Sequence, residues 1–269
     1  MSFVQTIGWG YLPGARGAMI HPTKWFSRLL LVLAAGLGVG SVVVFAFWPL
    51  GTLRLMRPDW SETTVLLWDG ALSMVFFAQH SGMIRRNVRA RMAAVIASLY
   101  QPALYATASG LALVAVVLLW QPSDVRLLAL TGAWRLAAHG ISAAALGLFV
   151  WGFLSLRSFD PLGLAPLAGH LRARPSRPCG FVVRGAYRFV RHPLYLAVIV
   201  LIWFCPDVTA DRLLFNLLWT AWIVAGTVLE EADLVAEIGD PYRVYHREVP
   251  MLLPLPRPAA RLRAEGEQT

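Results

Sequence analysis

A chain of 269 residues that is 57% hydrophobic and only 14% charged is not an ordinary soluble domain, which carries about 25% charged residues. Its net charge of +9 raises nucleic acid as a partner, but the cations fall in the gaps between apolar runs, which assigns them to a membrane surface and sets nucleic acid aside. The two cysteines, Cys179 and Cys205, support neither a disulfide framework nor a metal site.

In chain order, the first 28 residues lack the apolar core and cleavage site of a signal peptide, and "PTKWF" reads as an interfacial lead-in to a first span. Six runs follow that are almost free of charge. Leu29–Leu53 has none, and Thr63–Ile84 carries Asp69 alone. Met92–Ser123 contains Pro102, which predicts a helix start near Ala103, and Leu136–Leu156 holds one histidine, His139, read as structural. Pro193–Pro206 and Leu213–Leu229 complete the set. A bilayer core of about 30 Å takes roughly 20 apolar residues as helix, and backbone polar groups in lipid must pair internally. The fold class is therefore all-α: a polytopic membrane protein of about six transmembrane helices, the last two forming a helical hairpin. Pro193–Pro206 is short for a full span.

With the N-terminus placed in the cytoplasm, 19 of the 24 Lys and Arg fall on the cytoplasmic side and five outside. Both termini are then cytoplasmic. The arginines at 85–91 read as contacts to anionic lipid. One Lys against 23 Arg fits a GC-rich bacterial genome, and so the bacterial cytoplasmic membrane.

Three units follow. Residues 1–156 form a four-helix membrane scaffold. Residues 157–256 comprise a long cytoplasmic loop, the hairpin and a polar C-terminal segment. Residues 257–269 form a loose tail. In the hairpin turn "CPDVTADRLL", Pro206 stops one helix, and Thr209 or Asp211 is placed to cap the next. "GLGVG" at Gly36–Gly40 lies inside an apolar span with no preceding strand, so it reads as helix packing and not as a nucleotide loop. That excludes a soluble Rossmann-type enzyme.

Three polar clusters stand at the edges of the last two runs. "GAYRFVRHPLYLA" brings Arg188, Arg191 and His192 against an apolar helix, and "LEEADL" puts Glu230 and Glu231 at the end of another. In "GDPYRVYHREVPMLLP", Tyr242 and Tyr245 are three apart, and the Val-Pro end suits a flap that folds back over a site. Each has a plain interfacial reading: snorkelling arginines, aromatic belts and solvated carboxylates. Together they suggest more, because a hairpin returns the chain to one membrane face. Arg191, His192, Tyr195, Glu230 and Glu231 should then surround one pocket suited to a zwitterionic ligand with an aromatic base. S-adenosylmethionine is such a ligand.

These motifs resemble those of the integral-membrane methyltransferases that include isoprenylcysteine carboxyl methyltransferases and phospholipid methyltransferases. The resemblance covers roughly residues 185–254. It implies S-adenosylmethionine as methyl donor, with Tyr187, Arg191, His192, Pro193, Tyr195, Glu230, Glu231, Tyr242 and Tyr245 forming the cofactor site in a methyltransferase core at 157–256. "FFAQHSGM", "FDPLGL", "FCPDVTADRLLF" and "VPMLLP" are further similar to methanethiol S-methyltransferases and NnrU-type proteins, from about Val65 onward. Arg157 and Ser158 stand where that subgroup has an Asn-His pair, and "IRRNVRA" replaces its basic-aromatic segment. The implied acceptor is a small apolar thiol, or else a lipid-borne prenylcysteine carboxylate or phospholipid amine.

Since a thiolate is the nucleophile, a base is needed, and His80 in "AQHS" is the candidate; its plain reading is a packing histidine. A sterol-reductase-like oxidoreductase shares the scaffold but takes a nicotinamide. A transporter is disfavoured, because no paired discontinuous spans or inverted repeats are visible.

Overall fold

The computed structural model describes residues 23–48, 58–156, 160, 162, 164–173 and 181–254. Among them the helices are α1 (Lys24–Phe47), α2 (Glu62–Ile84), α3 (Arg86–Val95), α4 (Gln101–Leu119), α5 (Gly132–Ser155), α6 (Ala165–Leu171), α7 (Pro193–Trp203), α8 (Ala210–Ile238) and α9 (Asp240–Glu248). Short 3-10 turns lie at Ser98–Tyr100 and Gly185–Arg188. The sequence expectations for residues 49–53, Arg157 and Ser158, Cys179 and the tail 257–269 fall outside the described residues.

Four described helices, α1, α4 with its leading 3-10 turn, α5 and α8, are long and apolar enough to cross a membrane. The other two expected spans differ from these in kind. α2 is 23 residues long, but Asp69, Gln79 and His80 make it more polar. α7 has only 11 residues. Large apolar side chains stand on the outside of the bundle, with Leu67, Trp134 and Leu136 each at least 70% exposed. Water does not tolerate such a surface over a whole bundle, and lipid does.

The run Met92–Ser123 breaks into two helices. α3 ends at Val95, Ile96 is extended, and α4 begins at Gln101 with Pro102 in its first turn, where a missing N–H costs nothing. The α2 start is capped by Ser61, whose hydroxyl accepts the Thr64 N–H at 3.3 Å, and Glu62 in the first turn suits the helix dipole.

α1 packs along α4, α4 along α2, α2 along α8, α8 against α7 and α7 against α5. An aromatic cluster fills the middle. Phe45, Trp48, Phe76, Phe77, Trp120, Phe215 and Trp219 are buried together, with the Phe76 and Trp219 rings stacked at 4.9 Å. The glycine-rich stretch of α1 packs through one position: Gly38 faces Leu162, whereas nothing approaches Gly36 or Gly40. α1 comes close to α4 at Gly110, where a Cβ would meet the Leu37 carbonyl oxygen at 2.5 Å and its carbon at 2.7 Å. The obstacle is backbone, so it cannot swing aside. Gly110→Ala is expected to lower stability by about 1–3 kcal/mol despite alanine's better helix propensity. Thermal unfolding in detergent reads this out, and an unchanged midpoint would show that the helices part freely.

One departure from an all-α fold is a two-stranded ribbon, β1 (Arg126–Ala129) against β2 (Asp207–Thr209), antiparallel. It pairs backbone groups of two loops at the end of the bundle where no helix supplies partners. The hairpin turn works differently from its sequence expectation. Thr209 holds the N-cap position of α8 without a side-chain bond to a helix N–H, and its hydroxyl bonds the Asp211 carboxylate instead. Asp211 accepts from Trp120 Nε1 at 2.9 Å and Ser123 N at 3.0 Å, while Asp69 accepts from Gln121 N at 2.9 Å. Both buried acids thus close the exit of α4. At the other end, the Asp160 carboxylate accepts from Leu164 N and Ala165 N at the start of α6, which packs against α1.

Candidate active site

α8 continues beyond the aromatic cluster that Trp219 and Trp222 belong to and carries Glu230 and Glu231 past it. Adjacent helical positions point about 100° apart, so the two carboxylates serve different surroundings.

Glu231 faces a clasp. Arg191 donates Nε to its Oε1 at 2.6 Å and a terminal nitrogen to its Oε2 at 2.9 Å, a bidentate pair. His192 Nε2 is hydrogen-bonded to Oε1 at 3.1 Å, and His246 Nε2 to Oε2 at 3.1 Å. The remaining Arg191 donor serves the carbonyl oxygens of His246, at 2.7 Å, and Val249. The backbone joins in, since Arg191 N donates to Pro250 O at 2.9 Å and His192 N to Met251 O at 3.1 Å. The Val-Pro segment therefore folds back over residues 191–192. It gets there because Gly239 ends α8 at φ +75°, a conformation that favours glycine, and α9 turns away. Tyr245 donates to the Tyr187 carbonyl at 2.7 Å, and Tyr242 and Tyr245 pack with Leu234. Burial holds the Tyr187, Tyr242 and Tyr245 phenols well above their usual range, so all three stay neutral.

Glu230 faces the other way, into a cavity of about 200 Å³ between α1, α2, α4, α5, α7 and α8. Tyr195 donates to its Oε2 at 2.7 Å, and the His192 ring stacks on Tyr195 at 5.4 Å with planes 5° apart. Arg85 and Asp233 line the same mouth. Deeper in, the walls are Phe45, Phe76, Trp219 and Trp222, and the polar atoms among them belong to His80, Tyr105 and a few serines. His80 Nε2 is hydrogen-bonded to the Tyr105 hydroxyl at 2.8 Å, whereas its buried Nδ1 has no partner. The ring is held on both sides, stacked on Phe76 at 5.2 Å and edge-on to Trp222 at 5.3 Å.

A methanethiol S-methyltransferase of Pseudomonas sp. (strain GM41(2012)) is 35% identical to this chain over 197 residues, covering 70% of the chain and 73% of the relative. One from Pseudomonas deceptionensis is 34% identical over 206 residues, covering 73% and 76%. The chain belongs to the methanethiol S-methyltransferase family. A more distant relative is the nurim of Sus scrofa, 28% identical over 190 residues, 65% of this chain and 70% of that one. No family model and no solved structure matches the chain.

The expected residues of this family member divide into three groups. Tyr195, Glu230 and His80 line the cavity. Arg191, His192 and Glu231 form the clasp beside it, with Tyr187 and Tyr245 joined to each other behind it and Tyr242 packed against Tyr245. Pro193 opens α7 and lies against Gly152 of α5. No group of His, Cys, Asp and Glu among the described residues suits a metal. Tyr105 is the functional candidate that the motifs did not reveal. Its signal is a stripe of Gln101, Tyr105 and Ser109, four apart in a helix whose other polar residue is Thr107, which sets three polar groups on one face.

Proposed function

We propose that this chain is a membrane methyltransferase that carries the methyl group of S-adenosylmethionine, taken up at the cytoplasmic face of a bacterial membrane, to a small thiol. The observation that carries the reading is the pairing of one apolar, aromatic-walled cavity with a polar mouth in a chain of this family. The donor set suits the cofactor. Glu230 and Asp233 answer its amine and ribose hydroxyls, Arg85 its carboxylate, and the Tyr195 ring gives a flat face for the base. When bound, S-adenosylmethionine supplies an electrophilic methyl group on a sulfonium sulfur.

The protein's share of the work is positioning and exclusion of water. A cavity of about 200 Å³ is smaller than the roughly 300 Å³ at which pockets for drug-sized ligands begin, so it does not enclose a whole nucleoside. It fits a one- or two-carbon thiol beside a reacting methyl group, and this size favours the thiol over a prenyl or phospholipid acceptor. His80 takes the thiol proton on Nδ1, and Tyr105 holds the ring through Nε2. Arg191, His192 and Glu231 brace the mouth: His192 stacks on Tyr195, and the clasp anchors the segment that carries both.

The test is methyl transfer from labelled S-adenosylmethionine by the purified protein, offered methanethiol, hydrogen sulfide, a prenylcysteine analogue and phosphatidylethanolamine separately. Label is expected in the thioether from methanethiol. Label in the prenylcysteine ester or the lipid, with none in the thioether, would replace the thiol reading.

A further inference from the structure

The site cavity is not the end of the open space in this bundle. A second cavity, of about 540 Å³, lies at the far end, beside the β-ribbon and the hairpin turn. Its walls include Trp120, Arg126, Arg135, Cys205 and Arg212. The two cavities share three lining residues, Ala46, Leu146 and Leu201. These come from three different helices, α1, α5 and α7, so one apolar layer of three side chains stands between the two spaces. Ala46 and Leu146 are half-buried and Leu201 is buried. That layer is apolar, with no charge to bind a hydrated ion.

We infer that the far cavity is the entrance for the thiol acceptor, and that the acceptor reaches the reacting methyl group through the Ala46–Leu146–Leu201 layer. The inference rests on the proposed function. In that reading Tyr195 and Glu230 would hold the cofactor at the mouth, and its methyl group would be delivered toward the cavity. Displacement at that carbon runs in line, so the nucleophile must arrive opposite the leaving sulfur. The opposite side is the deep end of the site cavity, where Ala46, Leu146 and Leu201 divide it from the far cavity. A thiol following the cofactor through the same mouth would arrive on the wrong side and find the way filled. The far cavity suits the first contact with a small solute arriving from water. Arg135 grips Asp207 through two hydrogen bonds at 3.1 and 2.8 Å, and Arg212 lies over the Trp48 ring at 4.1 Å, so the rim is charged and the throat is not.

Cys205 supplies the probe. It lines the far cavity, is half-buried, and bears a free thiol. In a Cys179→Ser protein it is the sole cysteine of the chain. That protein is reacted to completion with N-benzylmaleimide, freed of reagent, and assayed for transfer to methanethiol and for S-adenosylmethionine binding. Labelling is expected to lower kcat/KM for the thiol about tenfold or more while cofactor affinity holds, and Cys179→Ser/Cys205→Ser is expected to keep its own rate through the same treatment. Ala46→Leu, which thickens that layer without touching the far cavity's rim, is expected to raise the KM for the thiol. Complete labelling that leaves kcat/KM within about twofold overturns the entrance alone, and so does an equal loss of cofactor affinity. An unlabelled protein that methylates no thiol overturns the reading of function and the entrance with it.

Discussion

Arg191→Met is expected to destabilise the protein by about 3–5 kcal/mol, the largest single loss from any clasp residue. The side chains of Arg191 and Glu231 are 3% and 9% exposed, so the ion pair is cut off from water. Removing the guanidinium strands the Glu231 carboxylate with two imidazole partners and no permanent cation. It also frees the His246 and Val249 carbonyls and loosens the end of α9. Buried pairs behave asymmetrically: losing one partner costs far more than replacing both by apolar groups of similar shape. Arg191→Met/Glu231→Leu should therefore recover a good part of the loss. Thermal unfolding in detergent measures the stability, and limited proteolysis after Gly239 reports whether the C-terminal segment has come loose. A single variant as stable as the parent, with residues 240–254 still protected, would show that the clasp is a surface ornament. The same comparison separates structure from binding. If Glu231 held the cofactor directly, the double variant would regain its fold and still lose all cofactor affinity.

Much of this arrangement was legible in the sequence, and the reasons for what was not are physical. Charge-free runs announce helices in lipid because nothing else satisfies their backbone. A hairpin must return to the face it left, so residues near 191 and near 230 had to meet. The contacts from Tyr195 to Glu230 and from His192 to Glu231 are that meeting. The division of labour between Glu230 and Glu231 is not readable from their adjacency, because it depends on the rotation of α8 about its axis. That rotation is fixed a long way off, by Trp219 bonding Ser73 and Trp222 bonding Ser81. The break at Ile96 was hidden inside an uncharged run that contains its proline six residues later. The role of Thr209 and Asp211 was misplaced for a related reason: both have cap chemistry, but α4 ends beside them and takes the acid for its own exit.

His80→Ala is expected to lower kcat/KM for a small thiol about 100-fold or more at neutral pH, within the range of a lost general base. Tyr105→Phe, which keeps the ring and removes the hydroxyl, is expected to cost about tenfold, the worth of one buried hydrogen bond. Neither change should weaken cofactor binding, because the Tyr195–Glu230 mouth stays intact. The decisive readout is the response to thiol acidity. A free thiol ionises near pH 8.5, and below that value its thiolate fraction rises about tenfold per pH unit. A variant without its base depends on thiolate from solution, so its rate climbs with pH toward about 9.5 while the parent stays flat. A more acidic thiol should rescue at constant pH, because nucleophilicity falls more slowly than thiolate fraction rises. The site's frame survives such a series. The Tyr187, Tyr242 and Tyr245 phenols are raised by burial, so their neutral form is favoured by the fold, and that linkage begins to cost stability only as pH climbs past the unfolded value near 10. The groups facing His80 across the cavity are Tyr105 from α4, Tyr195 from α7, Glu230 and Asp233 from α8, and Arg85 just beyond its own helix. Of these, only Tyr105 touches the ring through a hydrogen bond, which is why Tyr105→Phe should share the acidity profile of His80→Ala at smaller amplitude. If both variants lose the same factor at every pH and with every thiol, His80 is a packing histidine stacked on Phe76 and edge-on to Trp222, and the proton leaves by another route.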